Sequence, residues 1–342
     1  MKNLVYISMI MLILNVSCVN DERDFPDFEY QTVYFAHQFP VRTITFGEDL
    51  FDNSLDNEGK VRVMATLGGA YASRSDVLLD IEVDNSLTEN LLFTSGGEPV
   101  RNMPSEYFQL QDNQITIPRG RVTGGVEVQL TGAFFNDPDA IRNSYVIPLR
   151  ITNVVNADSV LSGIPLVSNP NRAIISDWDV QPKDFVFYAI KYINEYDGNY
   201  LRRGADAITG KPGYEELTQN ATRRANYVEN DQIQAMNTSA RNETILPLVY
   251  QGEGGVNVNL PLRLTFNNNG ECTISAGADG FTASGSGRFV SKGEKNSWGG
   301  QDRDALYLTY EIDNPMMNIV TTDTLVMRDR GVGFELFNPV LQ

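Results

Sequence analysis

Apolar and polar residues alternate with a period of two along much of this chain, most clearly in Val61-Arg62-Val63-Met64-Ala65-Thr66-Leu67 and in Val126-Glu127-Val128-Gln129-Leu130. Such a repeat turns every second side chain to one face of a pleated strand, so these segments read as half-buried strands. Thr32 to Phe35, Arg42 to Phe46, Val77 to Val83, Gln114 to Ile117 and Tyr145 to Ile151 repeat the pattern between turn-forming Asn, Asp, Gly and Pro. Short strands at this spacing predict an antiparallel sandwich of immunoglobulin-like character. Helix is expected only in short pieces such as Asp137 to Asn143.

Asn153 to Pro182 breaks the alternation with Ser162-Gly163-Ile164-Pro165, Ser168-Asn169-Pro170-Asn171 and Gln181-Pro182, the composition of a connection. A second strand series follows: Phe185 to Ile193, Gly198 to Arg202, Ile245 to Tyr250, Asn257 to Phe266, Glu271 to Ala276, Gly280 to Phe289, Ala305 to Ile312, Thr321 to Arg328 and Gly333 to Phe337. Closing a meander into an up-and-down barrel removes its unpaired edges, so a β-barrel is predicted here. Asp206 to Ser239 is polar and weakly periodic and reads as a long insertion with short helices. Tyr192, Tyr196 and Tyr200 are spaced by four, but the Asp197-Gly198 turn between them argues for two barrel strands. The fold class is therefore all-β, with a sandwich over 31–179 and a barrel over 180–342.

The start of the chain carries a different signal. Lys2, the apolar run Leu4 to Leu14 and Val16-Ser17-Cys18 have the order of a secretory signal cleaved before a cysteine, although Asn15 stands where such signals usually place an apolar residue. Residues 1–17 are expected to be the signal peptide, Cys18 the lipidated residue and 18–30 an acidic tether. Asp21, Glu22 and Asp24 follow directly, and that cluster resembles the export signal of Bacteroidetes surface lipoproteins, which implies an outer-membrane location facing the cell exterior. The lipid on Cys18 would then be the membrane contact, because no later apolar stretch approaches the ~20 residues of a spanning helix.

Charge narrows the choice of partner. With 27 Lys and Arg against 44 Asp and Glu the net charge is −17, which disfavours nucleic acid and anionic lipid surfaces. Only two cysteines, Cys18 and Cys272, and one histidine, His37, are present, so no metal centre, thiol cofactor or disulfide framework is indicated and no cofactor is expected. Cys272 lies in the alternating Glu271-Cys272-Thr273-Ile274-Ser275 and reads as a thiol on the inner face of a strand.

Thr32-Val33-Tyr34-Phe35-Ala36, Pro40-Val41-Arg42-Thr43, Gly68-Gly69-Ala70-Tyr71, Thr131-Gly132-Ala133-Phe134-Phe135-Asn136-Asp137-Pro138 and Ser144-Tyr145-Val146-Ile147-Pro148-Leu149 together resemble a Bacteroidetes lipoprotein domain of unknown function, over about residues 25–178. In that family the domain precedes the catalytic module of some endo-β-N-acetylglucosaminidases and also occurs in non-catalytic lipoproteins of polysaccharide-utilisation loci. Tyr192-Ile193-Asn194-Glu195-Tyr196-Asp197-Gly198-Asn199-Tyr200 and Asp323-Thr324-Leu325-Val326 resemble a lipocalin-like companion domain. The resemblance implies a surface glycan-handling lipoprotein whose partners are a glycan and an outer-membrane transporter complex or surface glycoside hydrolase. It supplies no motif that fixes residue roles.

Candidate chemistry is sparse. A Ser-His hydrolase would have to use His37, which reads instead as a turn residue. Glycoside hydrolysis needs two carboxylates, and Asp84, Glu311 and Asp313 are isolated or at strand ends. Asp49, Asp52, Asp56 and Glu58 crowd one loop but lack the spacing of a twelve-residue calcium loop. A sugar site needs an aromatic face beside polar groups. Trp298 offers that set in Asn296-Ser297-Trp298-Gly299-Gly300-Gln301-Asp302-Arg303, making Trp298, Asn296, Gln301, Asp302 and Arg303 glycan-binding candidates; the indole could equally fold back and plug the barrel end. Tyr71, after Gly68-Gly69, is a further candidate, and Trp178 is expected to pack the two units together. The expected function is binding without bond-making; adhesion to protein partners is the alternative, and an unrecognised hydrolase ranks third.

Overall fold

In the computed structural model, which describes residues 28–49 and 51–342, the alternating segments of the first half pair into two facing sheets. Cys18, the signal segment and residues 18–27 lie outside the described residues. The strands are β1 (Thr32–Tyr34), β2 (Pro40–Thr45), β3 (Lys60–Gly68), β4 (Val77–Val83), β5 (Phe108–Leu110), β6 (Gln114–Ile117), β7 (Thr123–Leu130), β8 (Tyr145–Val155) and β9 (Phe185–Ile193). One sheet has the order Ser159–Val160, β1, β3, β7, β5 and the other Glu335–Leu336, β2, β9, β8, β4, β6. Their inward residues, among them Val33, Val63, Val128, Ile44, Leu79 and Ile147, form one dry core.

β9 corrects the expected boundary at 180. It is not barrel wall: it lies inside the second sheet, antiparallel to β8 and parallel to β2, with Ala189 opposite Val41. The reason is in its composition. Phe185-Val186-Phe187 is buried without alternation, because Val186 and Ile190 face the sandwich core while Phe185, Phe187 and Ala189 face a second apolar cluster with Leu91, Phe93 and Phe337. A strand covered on both faces reads as a continuous apolar run. The chain also returns after the barrel: Glu335–Leu336 pairs with β2 and Val340–Leu341 with Leu91–Leu92, so Gly333 to Phe337 is sandwich and not barrel.

The barrel is built from β10 (Gly198–Gly210), β11 (Gln232–Ala240), β12 (Glu243–Leu246), β13 (Leu262–Phe266), β14 (Glu271–Ala276), β15 (Thr282–Glu294), β16 (Arg303–Asp313) and β17 (Met317–Asp329). These eight antiparallel strands pair in sequence and close where β17 meets β10. The expected insertion at Asp206 to Ser239 is mostly wall and hairpin: β10 runs on to Gly210, Gln219–Arg223 pairs along it, and β11 begins at Gln232. Its polarity hid it because Asp206 turns inward to Arg223 and Thr321 beside the apolar Ile208 and Met236. Pro247 follows the last residue of β12 and Pro261 precedes the first of β13, so both wall strands are shorter than the expected Ile245 to Tyr250 and Asn257 to Phe266. Tyr192 lies next to the end of β9, Tyr196 sits in the link and Tyr200 in β10, so the three tyrosines mark the passage between the units and not a barrel hairpin.

The barrel interior is filled. Tyr200, Met236, Leu264, Leu308, Ile319 and Leu325 pack together, with Cys272 among them, and burial pushes the Cys272 thiol up to about 12. One layer is polar. Asp323 accepts hydrogen bonds from Arg202 Nε (2.9 Å), Tyr310 Oη (2.8 Å) and Arg223 (2.6 Å). Arg223 also pairs with Asp206, which accepts from Thr321 at 2.7 Å. Burial holds the Tyr310 phenol well above its ordinary pKa, so it stays protonated and donates to the carboxylate. Among the described residues no helix is long and apolar enough to cross a membrane.

The two units are stitched at one seam. Arg330 donates to the carbonyl oxygens of Phe46 (2.9 Å) and Asn194 (2.5 Å), and Arg241 lies 3.8 Å over the Phe46 ring. Gly47, with φ +89°, allows Glu195 to approach so closely that an added Cβ would sit 2.8 Å from the Glu195 Cβ. Arg330→Met would leave buried carbonyls without donors, at a cost of about 1–3 kcal/mol. Urea unfolding followed by the near-ultraviolet signal should then show the seam loosened, as a lower midpoint or a transition split in two. An unchanged single transition would contradict a coupling role for Arg330.

Candidate functional site

The loop joining β15 to β16 lies at the barrel rim beside the sandwich. It is held by its own polar groups. Ser297 N–H donates to the Gln301 carbonyl (2.8 Å), and Gly299 and Gly300 take φ of +68° and +67°, where a side chain would be strained. Asp302 accepts from the Asn296 backbone N–H and from Lys295 Nζ, both at 3.0 Å. These bonds fix Trp298. Its Nε1–H donates to the Met327 carbonyl on β17 at 3.1 Å, and the Arg303 guanidinium stacks 3.6 Å from the ring centroid. The indole thus folds back onto the rim and serves as the support under a cation.

Above that support opens a cleft of about 660 Å³, lined from the barrel by Lys292, Gln301, Asp302, Arg303, Asp304 and residues 327–332, and from the sandwich by Glu48, Asp49 and Phe51. The volume is in the range of small-ligand sites. Phe51 presents its ring to solvent at 80% exposure. Most charges of the cleft are matched: Lys292 Nζ bridges to Glu48 at 3.0 Å, Asp304 accepts the Lys292 N–H at 2.7 Å, Asp329 accepts from Asn199 at 2.7 Å, and Arg330 is spent on the seam. Such an arrangement can offer an aromatic face, amide and guanidinium donors and carboxylate acceptors to a polyhydroxyl ligand.

Of the residues singled out by sequence, Gln301, Asp302 and Arg303 meet in this cleft, Trp298 lies beneath it, and Asn296 is on the exposed outer side of the loop. Tyr71 is elsewhere on the sandwich, 70% exposed. Phe51 and Lys292 were missed. The signal for Phe51 was a lone aromatic inside the acidic loop, whose carboxylates have local duties: Asp56 turns inward to Arg42 and to the Thr45 N–H (2.9 Å), and Asp52 caps Ser54 (2.6 Å). Trp178 does not join the two units. Its Nε1–H donates to the Asn171 carbonyl at 2.8 Å and Gly163 abuts its ring, so it anchors the connection to itself. His37 packs against Phe334 with centroids 5.0 Å apart.

Two other hollows are shallower in chemistry. One of about 780 Å³ on the outer barrel wall is floored by Thr273, Ser286, Thr309 and Thr322; of its two aromatic residues Phe266 is buried and Tyr307 is tied to Glu294 at 2.8 Å. Burial and that bond push the Tyr307 phenol up to about 12. The other, about 620 Å³, gathers Phe28, Tyr30 and Tyr34 at the start of the sandwich.

Comparison with known proteins divides the chain as the sheets do. A family model for an N-terminal domain matches residues 28–158, and a model for a domain of unknown function (DUF5627) matches residues 195–331, which is the barrel. A solved Bacteroides ovatus protein of unknown function is 43% identical, covers 92% of this chain and 100% of its own, and superposes with a TM-score of 0.86. A multidomain Bacteroides ovatus protein including DUF1735 is 11% identical, with coverage of 84% and 89% and a TM-score of 0.38. A candidate carbohydrate-binding protein of the same species is 13% identical, with coverage of 90% and 99% and a TM-score of 0.28. No curated protein matches. None of these matches is described as catalytic.

Proposed function

The chain belongs to the same family as the Bacteroides ovatus protein of unknown function, and from that premise we propose that it is a non-catalytic glycan-binding lipoprotein of the outer-membrane surface, an accessory of a polysaccharide-utilisation system anchored through Cys18. The observation that carries the binding reading is the cleft between barrel rim and sandwich, which the exposed Phe51 lines together with Gln301, Asp302 and Arg303, the last held on Trp298. A pyranose has one apolar face and a girdle of hydroxyls, and this cleft supplies a partner for each. Its cations and carboxylates are mostly engaged, by one another or by neutral hydrogen-bonding groups, which suits recognition over proton transfer.

The test is a glycan array with the chain from Asn20 onward, which contains every described residue, beside its Phe51→Ala and Trp298→Ala variants. At least one glycan should be retained, with affinity falling about tenfold or more in either variant, measured by calorimetry. Retention untouched by both changes would remove the site from the cleft. If no glycan is retained, adhesion to a protein becomes the better account, and the exposed Phe28 and Tyr30 (77% and 61%) mark where to look.

A further inference from the structure

Among the described residues two cations of the cleft, Arg303 and Arg330, have no carboxylate partner, and of these only Arg303 leaves its terminal N–H groups unengaged. Lys292 pairs with Glu48, Arg328 lies 3.6 Å from Asp329, and Arg330 is consumed by backbone carbonyls. Lys295, beside the cleft on the same loop, pairs with Asp302. Arg303 has one hydrogen bond, from Nε to the Trp298 carbonyl at 3.4 Å, and its guanidinium carbon lies over the indole. Among the described residues no carboxylate pairs with it, and its terminal N–H groups have no acceptor. The neighbouring acids are already engaged: Asp302 by Asn296 and Lys295, Asp304 by the Lys292 N–H, Glu48 by Lys292.

A guanidinium stacked on an aromatic ring has its plane fixed while the edge bearing its donors stays available, the geometry that grips a carboxylate with two parallel hydrogen bonds. We infer that the ligand of this cleft is an acidic glycan, one bearing uronic-acid carboxylates, and that Arg303 on its Trp298 support is the group that recognises the acid. This rests on the glycan reading above and narrows it. Phe51 would meet the apolar face of a ring while Arg303 takes its carboxylate. The chain's net charge of −17 opposes an anionic ligand at long range, but screening at physiological salt confines that repulsion to about 8 Å, and within the cleft the carboxylates of Glu48, Asp302 and Asp304 are engaged by Lys292, Lys295 and backbone N–H groups.

The experiment uses the chain from Asn20 onward and a panel of uronate-containing oligosaccharides, each beside its carboxyl-reduced counterpart, with binding measured by calorimetry for the parent, Arg303→Gln and Arg303→Lys. The acid form should bind at least about tenfold more tightly than the reduced form, since a hydrogen bond to a charged group is worth more than a neutral one. Arg303→Gln should erase that preference, and Arg303→Lys should restore only part of it because an ammonium lacks the planar fork. Equal binding of acid and reduced forms, or hits confined to neutral glycans, would overturn the acid assignment and leave the glycan reading standing. Failure of every glycan, acidic and neutral, would overturn both. A preference that survives Arg303→Gln would also overturn the role given to Arg303.

Discussion

Asp323→Ala should destabilise the barrel by about 3–5 kcal/mol, the range found when one member of a buried ion pair is removed and its partner is left uncompensated. The side chain is fully buried and carries Arg202, Arg223 and Tyr310 on its two oxygens. Its loss strands Arg202, itself 5% exposed, inside a barrel that offers few other acceptors. Arg223 keeps Asp206 and is harmed less. The free energy from chemical denaturation measures the effect, and a triple variant that also replaces Arg202 with Met and Tyr310 with Phe should recover part of the loss, because an apolar layer of similar volume no longer buries a lone charge. A loss below about 1 kcal/mol from Asp323→Ala would show that the layer is hydrated in solution and not a sealed network.

Gly285→Ala is the second large effect expected, about 3 kcal/mol, from a change of one methyl group. A Cβ at Gly285 would lie 2.4 Å from the Thr309 carbonyl oxygen and 2.7 Å from the Tyr310 Cα, both backbone on the neighbouring β16. Neither can swing aside as a side-chain tip could, so the two strands must part and the ladder between them must stretch. Replacing glycine gains roughly 0.4–1 kcal/mol by restricting the unfolded chain, which is too little to offset that strain. Gly132→Ala supplies the contrast: nothing lies within 4 Å of its added Cβ, so it should be neutral or slightly stabilising. Thermal melts of the two variants, compared with the parent, decide the matter; equal behaviour would mean that β15 and β16 are not packed as closely as described.

Gly285 also shows how far local sequence can be read. The alternation Ser284-Gly285-Ser286-Gly287 predicts a strand, and it is one. Its glycines fall on the inward positions, where Gly287 lets Leu308 and Cys272 come within 2.4 and 3.1 Å of the place a Cβ would occupy. Glycine at such positions lets a barrel wall bend. The pattern announced the strand, while the need for the bend came from β16 alone.

The candidate site was half legible for a similar reason. A tryptophan in a polar, glycine-containing loop stands out in any sequence, and the loop residues around it could be named with it. What the sequence left open was the direction of the indole, which the Met327 carbonyl on β17 decided. Phe51 could not be joined to that loop from sequence, since 247 positions separate Phe51 from Trp298 and tertiary contacts such as Arg330 to the Phe46 carbonyl and Lys292 to Glu48 bring their units side by side.

The all-β class, the two-part order and the inward place of Cys272 were determined by the chain itself, because a period of two is a local property of a strand that buries one face. Three things lay beyond it. The continuous apolar run of β9 marks burial on both faces but cannot say which two layers supply it, and those turned out to be the sandwich core and a cluster closed by Phe337 from the far end of the chain. The polar stretch after Asp206 looked like an excursion because Asp206 and Arg223 are among its inward residues, and only Thr321 and Asp323 on β17 make that charge tolerable in a closed barrel. The cleft itself belongs to no single segment: Arg330 meets the backbone carbonyls of Phe46 and Asn194 while Lys292 meets Glu48, and a carbonyl acceptor is a group every residue carries, so no sequence pattern records which one an arginine will find.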